Sequence, residues 1–159
     1  MARLLILYLL LEGERSAYDV KRVLRDPGVG FWFALEDASI YSALKTLARN
    51  GCANTTKNGR ATTYHITKAG VAEFGACLGR AWASSDEREF RAALAVSPDL
   101  TKHQLKQRLE ARLQLTESRL ERLRAIKSGA MSAQLASHEE HQLEAACQWL
   151  RRTLNGDAV

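Results

Sequence analysis

A single β-hairpin signal, set in a chain otherwise patterned for helices, narrows the fold more than any other feature. Two Thr-rich, β-prone runs, Cys52 to Lys57 and Arg60 to Ile66, flank Asn58-Gly59. Asn-Gly favours a two-residue hairpin because both central residues of the turn need positive φ. Three helical patterns precede it. Leu4 to Leu11 is apolar almost all round and reads as a buried helix, apolar enough to be shared with a second chain. Ser16 caps a second helix through Leu24, with Tyr18, Val20, Val23 and Leu24 inward and Lys21, Arg22 and Arg25 outward; Pro27-Gly28 then turns the chain. Val29-Gly30-Phe31-Trp32-Phe33 reads as a loop whose aromatics plug the core. From Glu36 to Gly51 a third helix buries Ile40, Ala43, Leu44, Leu47 and Ala48, with Asp37 as N-cap and Gly51 as the stop. After the hairpin, Thr67 caps a fourth helix running to Ala83. Helix, helix, helix, hairpin, helix is the order of a winged helix-turn-helix.

In that order the third helix occupies the recognition position. Its outer side carries Ser39, Tyr41, Ser42, Lys45, Thr46 and Arg49, and its acids are confined to the first turn. Taken alone this is an ordinary solvated face; in a recognition helix, hydroxyls and cations without carboxylates suit phosphate oxygens and base edges. Candidate DNA-binding residues are therefore Ser39, Tyr41, Ser42, Lys45 and Arg49, with Lys57 and Arg60 on the wing and Lys21 and Arg22 on the helix that crosses the backbone. Net charge is +5, and the excess lies in residues 1–83, with 11 Lys/Arg against 7 Asp/Glu. Such a balance permits a nucleic-acid partner.

The remainder is helical. Ser84 with Glu87, Thr101 with Gln104 and Ser137 with Glu140 predict capped helices near 85–96, 102–128 and 138–154, with Pro98 between the first two and a small-residue loop from Gly129 to Ala136. In the long helix Leu109, Leu113, Thr116, Leu120 and Leu123 follow 4-3-4-3 spacing, while Arg112, Glu117, Arg119, Glu121, Arg122 and Arg124 decorate the other faces. A narrow seam with charged flanks packs on another helix. Leu109, Leu113, Leu120, Leu123, Trp149 and Leu150 are the candidate dimerisation residues. The expected fold is mainly α: a winged helix-turn-helix over residues 1–83, with a small β-hairpin wing, then a helical dimerisation domain over 84–159.

Other chemistry is thinly supported. Cys52, Cys77 and Cys147 lie far apart, outside any metal or disulfide spacing, and read as core residues of a cytoplasmic protein. His138-Glu139-Glu140-His141 lacks the HExxH spacing, so no metal is expected. No nucleophile elbow or phosphate loop points to an enzyme or a cofactor. The opening apolar run falls well short of the roughly 20 residues a membrane crossing needs. Trp32, Trp82 and Trp149 are candidates for an aromatic effector pocket, against the plainer reading of each as a packing anchor.

Leu4 to Gly13, Ala17-Tyr18-Asp19-Val20, Ser39-Ile40-Tyr41 with Ala43-Leu44-Lys45 and Leu47, Gly51, Gly59-Arg60 through Tyr64, Ile66-Thr67 and Ala69-Gly70 together make the sequence resemble the PadR family of bacterial transcriptional regulators. Phe90 to Leu94, the charged long helix and the terminal helix with Trp149 look like the longer C-terminal domain of its larger subgroup. The resemblance implies a homodimeric, usually repressing protein on palindromic double-stranded operators, in some members released by a small aromatic effector. Ala17, Ala38 and Ser42 stand where the family commonly has Gly, Gly and Pro, and Ala61-Thr62-Thr63 replaces a more basic stretch. The wing is thus poor in cations, and a winged-helix adaptor or co-activator without strong DNA binding is the alternative expectation.

Overall fold

Burial of α1 organises the first half of the chain. The computed structural model describes residues 1–58, 61–97, 100–126 and 133–156, with the Asn58 side chain excepted. Its elements are α1 (Ala2–Leu11), β1 (Arg15–Ser16), α2 (Ala17–Leu24), α3 (Pro27–Trp32), α4 (Asp37–Arg49), β2 (Ala53–Asn58), β3 (Ala61–Ile66), α5 (Lys68–Ala83), α6 (Glu87–Ala95), α7 (Lys102–Ala125) and α8 (Ala133–Asn155). Leu4, Leu5, Ile6, Leu7, Leu9 and Leu10 of α1 are all buried. The elements that cover them are α4, α5, α6 and β3 of the same chain, so their burial needs no second copy.

Local sequence explains the ends of these elements. Ser16 and Asp19 form a reciprocal capping box at α2, and Thr67 Oγ1 accepts from Gly70 N at the start of α5. Glu36, not Asp37, is the N-cap residue of α4; Asp37 is its first helical residue. The expected aromatic loop is instead the short helix α3, begun by Asp26, whose side chain accepts from Gly28 N, with Pro27 at the first helical position. Its register buries only Phe33, just beyond the helix, and leaves Phe31 and Trp32 exposed in an edge-on pair. Tyr18 likewise points outward, because Val20 and Leu24, spaced i and i+4, turn inward and carry Tyr18 to the far side.

The hairpin β2–β3 is antiparallel, with Thr55 opposite Tyr64 and Asn58 opposite Ala61. Asn58, expected in the turn, is the last residue of β2; Gly59 and Arg60 lie outside the described residues. Strand β1 adds to β3 with Arg15 opposite Tyr64, giving the sheet order β1-β3-β2. At the end of α4, Gly51 takes φ +70, the left-handed conformation that lets the chain reverse. Thr67 N then donates to Cys52 O at 3.1 Å and Thr67 Oγ1 to Gly51 O at 2.6 Å, tying the end of α4 to the start of α5.

The chain divides into two compact units, Met1–Pro98 and Asp99–Val159. Helix α6 thus falls in the first unit, whereas the expected boundary at 83/84 assigned it to the second. The cause is packing: Trp82 of α5 and Phe90 of α6 meet edge to face with centroids 5.5 Å apart. Asp86 rather than Ser84 caps α6, its side chain accepting from Arg88 N, while Ser84 closes α5.

In the second unit α7 pairs with α8. Thr101 and Gln104 make the expected capping box, but α8 begins at Ala133, so Ser137 is an interior residue whose carbonyl is bonded to His141 Nδ1. Residues 127–132, which hold the Gly129 end of the expected loop, lie outside the described residues, as do Pro98 and the C-terminal three. Leu109, Thr116 and Leu120 of α7 and Leu143, Cys147 and Leu150 of α8 are buried, and Arg119–Glu139, Arg124–Glu140 and Arg151–Glu117 ion pairs flank them. Arg112 is buried too, against its expected place on an outer face. Leu109, Leu120 and Leu150, candidates for contact with a partner, are therefore already covered within one chain.

Replacing Gly70 with Ala would set a Cβ 2.1 Å from Cys52 O. Backbone must then move, and thermal or denaturant unfolding should show a loss of about 1–3 kcal/mol. Gly75→Ala, whose Cβ meets nothing within 4 Å, should instead gain up to about 1 kcal/mol from helix propensity. Equal behaviour of the two variants would contradict the close approach at Gly70.

Candidate nucleic-acid interface

The outer face of α4 is assembled by what its inner face buries. Ile40, Leu44 and Leu47 are buried, and the helix packs on α1 and α2. Ser39, Tyr41, Ser42, Lys45 and Arg49 are all exposed on the remaining sides, as expected. Neither Lys45 nor Arg49 forms an ion pair with another described residue. The face thus presents hydroxyls and cations with no carboxylate partner among the described residues, a chemistry suited to phosphate and base-edge acceptors.

The start of α4 is held to α2 by charge. Arg25 Nη2 and Nε donate to Asp37 Oδ1 at 2.7 and 3.1 Å, and Lys21 Nζ pairs with Asp37 Oδ2. The hydrogen bond from Lys21, reinforced by Arg25, holds the Asp37 carboxyl below the ordinary carboxylate range, and the same bond raises Lys21. Arg22 approaches Asp19 at 3.5 Å. Lys21 and Arg22, expected to face DNA, are therefore engaged with carboxylates. Lys21 serves in this structure to position α4.

On the wing, Lys57 is exposed on β2 opposite Thr62; Arg60 lies outside the described residues. A cleft of about 480 Å³ opens where α2, α4 and β3 converge, lined by Ser16, Ala17, Tyr18, Tyr41, Ala61, Thr62 and Tyr64. Pairing of β1 with β3 brings the first turn of α2 beside the wing strand. Sequence reasoning included Tyr41 but missed Tyr18 and Thr62. The i, i+4 spacing of Val20 and Leu24 carried the signal for Tyr18; nothing comparable marked Thr62.

The three tryptophans are differently placed. Trp32 is exposed on α3, Trp82 is buried against Phe90, and Trp149 is 43% exposed on α8 in the other unit. Neither the cleft above nor a smaller one beside Cys77 is lined by any of them. No described helix is long and apolar enough to cross a membrane.

Helices α1, α2 and α4 with the short α3 between the last two, a three-stranded antiparallel sheet with a two-strand wing, and the following α5 define a winged helix-turn-helix. No protein-family model matches the chain, and no curated protein matches it. Among solved structures it is similar to Bacillus subtilis PadR in complex with operator DNA, at 20% identity over 96% of each chain with a TM-score of 0.42. It is similar also to the PadR-like transcriptional regulator BC1756 from Bacillus cereus, at 20% identity over 98% of this chain and 97% of that one, TM-score 0.44. Bacillus subtilis PadR in complex with p-coumaric acid matches at 19% identity over 96% and 92%, TM-score 0.42.

Asp37 contributes stability that is present above the ordinary carboxylate range and is lost as pH falls through its lowered folded-state pKa. Asp37→Asn should therefore lower the melting temperature at neutral pH, with the gap to the unmodified protein closing on acidification. A gap independent of pH would contradict the ionic role.

Proposed function

We propose that this protein is a sequence-specific, DNA-binding transcriptional regulator of the PadR type, acting as a homodimeric repressor on a palindromic operator. The carrying observation is the outer face of α4, where Lys45 and Arg49 stand exposed with no carboxylate partner among the described residues. Lys45 and Arg49 reach phosphates or guanine edges; Ser39 and Ser42 add neutral hydrogen bonds, and Lys57 and Arg60 steady the wing on the backbone.

Dimerisation follows from the economy of contacts. One winged helix makes few, whereas two recognition helices about 34 Å apart read both halves of a palindrome and gain from mutual tethering. With Leu109, Leu120 and Leu150 covered inside the α7–α8 pair, the pairing surface falls to the half-buried Leu113 and Leu123 and to Trp149. A small aromatic effector is part of this reading, as a ligand that releases DNA.

Selection of genomic fragments by the purified protein, followed by titration of the recovered duplex, tests the regulator. Lys45→Ala should weaken operator binding by about 1–3 kcal/mol if it reads a base, and weaken all sequences alike if it touches phosphate. An unchanged isotherm would remove Lys45 from the interface. Sedimentation should give two chains per particle for the unmodified protein and a shift towards one for Trp149→Glu; an unshifted dimer would place the pairing surface elsewhere.

A further inference from the structure

The cleft between α2, α4 and β3 is unlike the rest of the outer face because the described residues that line it include no ionised side chain. Tyr18, 69% exposed, and Tyr41, 41% exposed, stand at it from two different helices, and Thr62 stands at it from the wing strand. Neither phenol hydroxyl makes a hydrogen bond to another described residue. Such burial as these rings have covers carbon, so the cleft offers apolar walls with hydroxyls at hand. Of the cations nearby, Lys57 stands opposite Thr62 on β2, and Lys21 is held by Asp37.

Resting on the regulator reading above, we infer that Tyr18, Tyr41 and Thr62 form a neutral seat for one backbone phosphate of the operator and its adjoining deoxyribose. A duplex that meets the outer face of α4 and the wing together must run its backbone over the junction between them, and that junction is this cleft. Phenol and alcohol O–H groups donate to phosphate oxygens, and aromatic ring faces suit the apolar side of a sugar. No proton is exchanged and no protein charge is neutralised.

This neutrality gives the seat a signature that a cationic contact lacks. Lys and Arg contacts release counterions and set the slope of log affinity against log salt; a hydroxyl contact adds affinity without adding to that slope. Tyr18→Phe removes one oxygen and leaves the exposed ring in place. Binding to the recovered operator should fall about tenfold, as for loss of a hydrogen bond to a charged group, with the salt slope unchanged. Lys45→Ala, where Lys45 touches phosphate, should reduce the slope by about 1.

The decisive experiment scans the operator with single methylphosphonate linkages, which remove one phosphate charge at a time. At one position per half-site the methylphosphonate and Tyr18→Phe should fail to add, because both delete the same contact; elsewhere the two losses should add. Thr62→Val provides a second variant, expected to show its non-additivity at the same linkage, and thermal melts confirm that both variants fold. Affinity of Tyr18→Phe equal to that of the unmodified protein, additivity at every linkage, or a changed salt slope would overturn the seat while leaving DNA binding intact. Failure of the unmodified protein to prefer any duplex would overturn the regulator reading and the seat together.

Discussion

The burial of Ile40, Leu44 and Leu47 decides what the rest of α4 can do. Their stripe packs on a core centred on α1, a helix with six buried aliphatic residues in ten positions. At roughly 25 cal/mol per Å² of apolar surface removed from water, no surface hydrogen bond competes with that constraint. Rotation of α4 about its axis is therefore fixed from inside, and Lys45 and Arg49 face outward because the helix has no alternative way to sit.

Both ends of α4 are fastened as well. At the start, Asp37 gathers Lys21 and Arg25 from α2. At the end, the left-handed Gly51 and the Thr67 bonds to Gly51 and Cys52 join the helix to α5 through a gap that only glycine at position 70 fits. The same joint delivers the chain into β2, so the wing and α4 are set by one piece of local geometry. Addition of β1 to β3 then brings Tyr18 alongside, and the cleft with Tyr41 and Thr62 is the result.

Much of this was legible in the sequence where one residue pattern had one physical solution. The hairpin of β2 and β3, the Thr67 cap, the Gly51 stop and the apolar stripe of α4 correspond to observed elements because β-propensity, capping and periodicity agree there, although Asn58, expected in the turn, ends β2. Misreadings arose where two patterns competed. Pro27 starts a helix as readily as it ends one, so the pattern that suggests a loop with Phe31 and Trp32 in the core is in fact the short helix α3 with both exposed. Ser84 and Ser137 fit a capping spacing, yet Asp86 and an earlier start of α8 prevail. The two-residue strand β1 has no periodicity to detect. In the second unit the leucine seam was visible, but a sequence cannot say whether a seam meets its own chain or another; α8 of the same chain covers Leu109 and Leu120. On the outer face, exposure of the α4 residues followed from the stripe, whereas the engagement of Lys21 by Asp37 required three dimensions.

The proposed function rests on the outer face of α4, where Lys45 and Arg49 have no carboxylate partner among the described residues, binding the DNA backbone and reading its bases. The most direct measurement is the affinity of the unmodified protein for a duplex from its own upstream region, set against a scrambled duplex over a series of salt concentrations. Expected are preference for the native duplex, two chains per site, and a linear fall of log affinity with log salt whose slope reflects several phosphate contacts. Binding that is weak, indifferent to sequence and insensitive to salt would contradict it.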